Sequence, residues 1–314
     1  MSTTTAPLRS RQSYRHEAFL WSGRTEYVAG LVPFVLDGLD ASETVVVAAT
    51  PEHARWLSDE LGPRMAEVEL VDLRWLAQNP ARIVPALQEL LDAACGPGRP
   101  ARAVGEPIWP GRSPAEVRES ELNEALLNLA IDPDLPFWLV CPYDVEHLDP
   151  AQIEDAARSH PVLATPTSYV GSGRYRGRDH ARELFTADLP PLGPPVADRW
   201  VTEQTLWTAA EEVTWRASSS LFSDVVVTLA DVVPRLIVDS VRRGAPRARL
   251  RVWDTADELV CEVADRTVVD DLLMGRRRPR PDQDDALWLA NQTFDLVQVR
   301  SGTRGTSVRL HLHK

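Results

Sequence analysis

Several apolar runs in the first half of the chain, TVVVAAT (44–50), VELVDL (68–73), ARAVGEPIW (101–109) and PFWLVCPYD (136–144), lack the apolar–polar alternation of a half-exposed strand. Unbroken β-branched and apolar text of this length suits a strand buried on both faces. The shorter run HEAFLW (16–21) precedes them. Between the runs lie segments with a helical apolar period: YVAGLVPFVLDGL, PEHARWLSDELG, NPARIVPALQELLDAACG and SPAEVRESELNEALLNLA. One of these opens on proline, two more have it second, and two end on glycine, the usual punctuation of helices. Strand and helix alternating in this way call for βαβ units, so residues 13–165 are expected to form an α/β domain with a doubly wound, mostly parallel sheet.

The text changes at residue 166. The stretch 166–198 is rich in Gly, Pro and Arg, and DLPPLGPPVAD within it reads as a domain boundary, so a linker is expected there. From residue 199 the order reverses. Two helical segments, WVTEQTLWTAAEEVTWRASSS and SDVVVTLADVVPRLIVDSVRRG, precede ARLRVWDT and ELVCEVADR, which read as strands. An Arg- and Pro-rich stretch follows, then a helix DALWLANQTFD and strands LVQVRSG and TSVRLHLHK, with GTRG as hairpin residues. Helices ahead of an antiparallel sheet predict an α+β sandwich over residues 199–314.

With 314 residues, 44% of them apolar, the chain can fill two cores. Its formal net charge of −12 argues against duplex nucleic acid as a partner, which calls for a basic face. No apolar run approaches the roughly 18 residues that span a bilayer. The opening MSTTTAPLRSRQSYRH has no apolar core of a secretory signal, and residues 1–12 read as disordered. Cys95, Cys141 and Cys261 are odd in number and widely spaced, which fits reduced thiols and a cytoplasmic setting.

The C-terminal order, and above all LWLANQ…DLVQVRSG..GTSVRLHL, resembles the GHKL ATPase fold and, more narrowly, the anti-sigma-factor serine kinases of bacteria, over about residues 200–314. The resemblance implies a Bergerat-type sandwich with a three-part nucleotide site. Its first part is a helix bearing a Glu and, one turn later, an Mg²⁺-holding Asn. Aligning VRRG places Arg235 at the Glu position and Asp239 at the Asn position. Asp can hold Mg²⁺, but Arg cannot act as a base. The pair also stands at i,i+4, where it can close on itself, and Pro234 threatens a kink. The second part is a D-x-G turn at adenine, here Asp265-Arg266-Thr267, without the glycine. The third is a Gly-rich lid. Here RRRPRPDQDDALW has no glycine and sets Asp282, Asp284 and Asp285 against phosphate, with Arg276, Arg277, Arg278 and Arg280 as partial compensation. Arg235, Asp239, Asp265 and Thr267 therefore read as a degenerate nucleotide pocket with no catalytic residue and no cofactor, ATP and Mg²⁺ being disfavoured. A blander reading makes Arg235 and Asp239 a solvated surface pair beside an ordinary apolar stripe from Val225 to Val241.

HEAFLWSGRTEYVAGLVPFVLDGL, ETVVVAATPEH, GEPIWPGRSPAEVRESELNEALLN and LVCPYD resemble the methanogen/methylotroph sensory domain, MEDS, over about residues 13–165. The resemblance implies a RecA-like fold, here without GxxxxGK[ST], and a sensory role. Ligands of doubly wound sheets sit beyond the carboxyl ends of the strands. The residues read there are Trp21, Arg24, Glu106, Trp109, Arg112, Cys141, Tyr143 and Asp144, with His16 opening the first strand, and together they form an aromatic-lined candidate site for a small molecule. Against this, Glu106 and Arg112 can be a plain ion pair and Cys141 a buried apolar residue. Cys141 with His147 is a poor metal pair, so no metal is expected.

Joined, the two resemblances imply a cytoplasmic regulator whose C-terminal domain binds a sigma factor or a STAS-domain anti-sigma antagonist under the influence of a sensory domain. The partners expected are that protein, an unidentified small molecule and a second copy in a homodimer, with no nucleic acid and no membrane. Two alternatives stand beside it: an active serine/threonine kinase borrowing Glu211 or Glu212 as base, and a non-enzymatic dimerisation scaffold.

Overall fold

A computed structural model describes residues 13–94, 100–280, 282–283 and 285–314. The disorder expected of residues 1–12, the free thiol Cys95 and the lid residue Asp284 lie outside the described residues. Among the described residues, no helix is long and apolar enough to cross a membrane. The chain divides into two units, one of residues 1–77 and 86–181, the other of 78–85 and 182–314.

Unit one is a seven-stranded, mostly parallel sheet between helices. Strands β1 (Arg15–Trp21), β2 (Thr44–Ala48), β3 (Glu69–Leu70), β4 (Ala101–Gly105), β5 (Phe137–Asp144), β6 (Val162–Thr165) and β7 (Ser168–Gly171) lie in the order β3-β2-β4-β5-β1-β6-β7. Only β7 runs antiparallel, in a hairpin with β6. Each expected strand is present, and β1, which comes first in the chain, sits inside the sheet between β5 and β6. Helices α1 (Gly23–Asp40), α2 (Pro51–Leu61), α3 (Leu73–Gln78), α4 (Ile83–Ala94), α5 (Pro114–Ala130), α6 (Pro150–Ser159) and α7 (Arg178–Thr186) make the connections.

Local chemistry sets where two of these helices begin. Ser113 caps α5 in a capping box with Glu116, with Pro114 in the first turn, and Asp149 does the same for α6 with Gln152 and Pro150. The stretch 166–198 is more ordered than a linker: it holds β7, α7 and the start of the next strand. Tyr169 shows one reason, since its hydroxyl donates to Glu17 of β1 at 2.5 Å and so ties β7 to the sheet.

Unit two pairs an antiparallel sheet with helices. Strands β8 (Ala197–Val201), β9 (Ala248–Asp254), β10 (Glu258–Asp265), β11 (Leu296–Gly302) and β12 (Gly305–His313) order as β11-β12-β10-β9-β8. Helices α8 (Leu206–Ala217), α9 (Ser223–Arg242) and α10 (Ala286–Thr293) bury Leu229, Val232, Val233, Leu236 and Ile237 of α9 in the core. The helix expected from Trp200 starts later, because Trp200 and Val201 extend β8 along β9. Pro234 does not end α9. Gly302 and Gly305 face each other across the expected hairpin. Residues 78–85 join this unit through Arg82, which donates to the carbonyls of Asn291 and Phe294 and so satisfies the end of α10.

The seating of α1 on β1 depends on Gly30, where a Cβ would lie 2.1–2.9 Å from ring atoms of Phe19. Gly30→Ala should cost about 1–3 kcal/mol through overpacking, read as a lower midpoint in urea denaturation.

Candidate functional site

Pleating decides which residues of unit one can meet. Side chains alternate between the faces of a strand, and β1 pairs β5 in parallel with His16 opposite Leu139 and Ala18 opposite Cys141. His16 and Cys141 therefore emerge on one face, and Trp21, at an odd spacing from His16, on the other. Helix α5 covers the first face with Glu124 and, one turn on, Asn128, both turned inward. His160, at the C-terminal cap of α6, completes the group.

His16, Glu124, Cys141 and His160 are all buried, and their ligating atoms lie within 4.8 Å of one another. His16 Nε2 is 3.4 Å from Cys141 Sγ and 3.5 Å from Glu124 Oε2, while His160 Nε2 is 3.2 Å from the same carboxylate oxygen. The imidazole centroids are 4.1 Å apart, and Tyr143 stands edge-on to His160 with its hydroxyl 3.5 Å from Glu124. Burial pushes the Glu124 carboxyl up, but the adjoining His16 and His160 outweigh it and hold the group at about 2. Burial and the neighbouring His160 lower His16. Burial, followed by the charge of Glu124, pushes the Cys141 thiol well up. The centre thus holds an ionised carboxylate, a neutral imidazole and a protonated thiol.

The single site expected at the strand ends separates into three places. His16, Cys141 and Tyr143 belong to the centre just described. Trp21 and Glu106 lie on the opposite side, in a box with Tyr27, His53 and Trp56, where Glu106 pairs with His53 Nδ1 at 2.6 Å and accepts from the Thr50 amide at 2.8 Å. The suggested Glu106–Arg112 ion pair is corrected here: Arg112 donates to the carbonyls of Pro107 and Ala77 and stacks on Trp109. Arg24 and Asp144 make surface pairs, with Asp59 and Glu60 and with His147. Sequence reasoning missed Glu124, Asn128 and His160. The signal was polar residues one turn apart on a helix face that must be covered.

In unit two, Asp265 and Thr267 of the residues read as a nucleotide pocket bind each other, while Arg235 and Asp239 have other partners. Asp265 Oδ2 accepts from Arg243 Nη2 at 2.7 Å, and its Oδ1 accepts from the Thr267 amide at 2.6 Å and from the Thr267 hydroxyl. Arg243 Nε also donates to the Thr267 hydroxyl at 3.2 Å, and Thr306 donates to the Thr267 carbonyl at 2.8 Å. Both carboxylate oxygens are therefore engaged. Arg235 turns back to Asp231, and Asp239 accepts from Arg242 at 3.4 Å, so the self-closing Arg235–Asp239 pair gives way to partners on either side. Asp285 caps α10 by accepting from the amides of Leu287 and Trp288 and is committed to that role. Glu212, one of the two alternative bases, is held by Arg199 and Arg216.

Compared with known proteins, residues 15–161 match the family model described as the methanogen/methylotroph, DcmR sensory domain, MEDS. The four residues of the buried centre all fall inside that match, which supports a signalling role; it does not reach residues 182–314. No curated protein matches the chain.

Burial pushes the Asp265 carboxyl up, and donors from Thr267, Ser240 and Arg243 outweigh it, so the group sits below the ordinary carboxylate value. A lowered carboxyl stabilises the fold above its unfolded pKa of about 4 and loses that contribution as pH falls through the folded value. Asp265→Asn should therefore cost about 1–3 kcal/mol at pH 7, through donors left unpaired. The gap from the parent protein should narrow on acidification towards pH 3, measured by calorimetric melting.

Proposed function

We propose that the protein is a signalling regulator in which unit one senses a ligand and unit two recognises a protein partner, a sigma factor or a STAS-domain antagonist. In this reading unit one is RecA-like, unit two is a GHKL-type sandwich without phosphotransfer, the setting is cytoplasmic, and occupancy of unit one biases the partner affinity of unit two. The observation that carries it is the outer surface of α8 and the start of α9. Trp207, Trp215 and Phe222 are 67%, 72% and 84% exposed. Trp207 and Trp215 flank a shallow groove of about 400 Å³ floored by Ala210, Thr214 and Ala230. Large aromatics are costly to leave in water and are enriched at the anchor points of protein interfaces.

The closed ring of Asp265, Thr267 and Arg243 supports recognition over phosphate transfer, because adenine would have to displace an ion pair and two hydrogen bonds already made. Sequestering a partner needs a surface and no hydrolytic site. Self-association through the same aromatics is the competing use of this face.

Trp207→Ala combined with Trp215→Ala should weaken binding to the sigma factor or STAS-domain protein of the source cell at least tenfold, about 1.4 kcal/mol, without lowering the melting temperature. Sedimentation of the same variant separates the two uses. A fall in mass with partner affinity unchanged would mean that the surface serves a homodimer instead.

A further inference from the structure

We propose that His16, Glu124, Cys141 and His160 form a closed, four-ligand site for a divalent transition-metal cation of the zinc type. The proposal goes beyond the signalling reading and does not depend on which protein unit two recognises.

Three of the six spacings fit such an ion, and the rest lie within 4.8 Å. Ligand atoms held about 2.0–2.3 Å from a tetrahedral zinc lie about 3.3–3.8 Å from one another. The separations observed are 3.2 Å for His160 Nε2 to Glu124 Oε2, 3.4 Å for His16 Nε2 to Cys141 Sγ and 3.5 Å for His16 Nε2 to Glu124 Oε2. Nitrogen, sulfur and oxygen donors in this mixture suit zinc and its neighbours, whereas magnesium and calcium require more oxygen than one carboxylate provides.

The hydrogen bonds behind the ligands point the same way. Asn128 Nδ2 donates to the Ser159 carbonyl at 2.8 Å, which orients the amide and leaves Oδ1 to accept from His16 Nδ1 at 3.2 Å. His160 Nδ1 donates to the Ala156 carbonyl at 2.8 Å. Each ring therefore carries a proton on Nδ1 and turns Nε2 towards the carboxylate. Histidine ligands of metals are held in this way, by an acceptor on the far nitrogen. His160 Nε2 is fully buried and makes no hydrogen bond, although the carboxylate is near. Two ring nitrogens and a carboxylate converging in a dry space call for positive charge among them, which a metal ion supplies.

Charge also closes. On loading, the Cys141 S–H bond breaks, its proton leaves to solvent and the sulfur binds the ion as thiolate. Thiolate and carboxylate together neutralise a dication, and the two imidazoles complete the shell without adding charge.

The test uses the full chain, stripped with chelator and titrated with Co²⁺, with folding checked by circular dichroism. The expected result is a thiolate-to-cobalt absorption band with tetrahedral-strength visible bands, saturating at one ion per chain and abolished by an equivalent of Zn²⁺. Cys141→Ser should remove the thiolate band, and His160→Gln should weaken binding at least tenfold. Cys95→Ser and Cys261→Ser should leave both unchanged. A folded parent chain that gives no thiolate band overturns the proposal without recourse to any variant, as does a band that survives in Cys141→Ser.

Discussion

A carboxylate taken out of water must be met by donors or by positive charge, and each unit of this protein sets such a group at its candidate site, Glu124 in one and Asp265 in the other. Leaving either uncompensated would cost several kcal/mol, a large share of what holds a domain together. Asp265 in unit two is satisfied from within: an arginine, an amide and a hydroxyl occupy its two oxygens. Glu124 in unit one meets the Nε2 atoms of two buried histidines. The first arrangement is complete as it stands. The second has room, in its chemistry, for a cation.

The fold explains why these groups meet. The parallel pairing of β1 with β5 sets His16 and Cys141 on one face, and two capping boxes fix where α5 and α6 begin, and with them the depth of Glu124 and the position of His160. In unit two the hairpin joining β11 to β12 brings Gly305 against the backbone of Asp265, where a Cβ would lie 1.9 Å from its carbonyl oxygen, and this packs the turn that Thr267 closes.

Much of the architecture was legible in the sequence, because unbroken apolar runs and helical periods report burial directly. The order of strands β1 to β5 and of the elements from α8 to β12 follows from them, as does the hairpin at GTRG, whereas β7, α7 and β8 lay in text read as a linker or the start of a helix. What the text hid was facing. Residues drawn together as one strand-end site lie on opposite sides of the sheet, since neither the offset between parallel strands nor the inward face of α5 is written locally. Glu124 and His160 read as ordinary polar residues of a surface helix and a loop. That Thr267 stands where the resemblance expects the glycine of D-x-G was visible, yet its consequence was not: the side chain satisfies Asp265 instead of merely crowding a base. Arg243, inside the VRRG text that anchored the alignment, gave no sign of closing the same ring.

The role proposed for unit two is recognition of a partner in place of nucleotide chemistry. Calorimetric titration of the full chain with ATP and Mg²⁺ tests this directly. A flat titration with no phosphate released is the result the closed Asp265 ring requires. Saturable micromolar binding accompanied by phosphate release would contradict it.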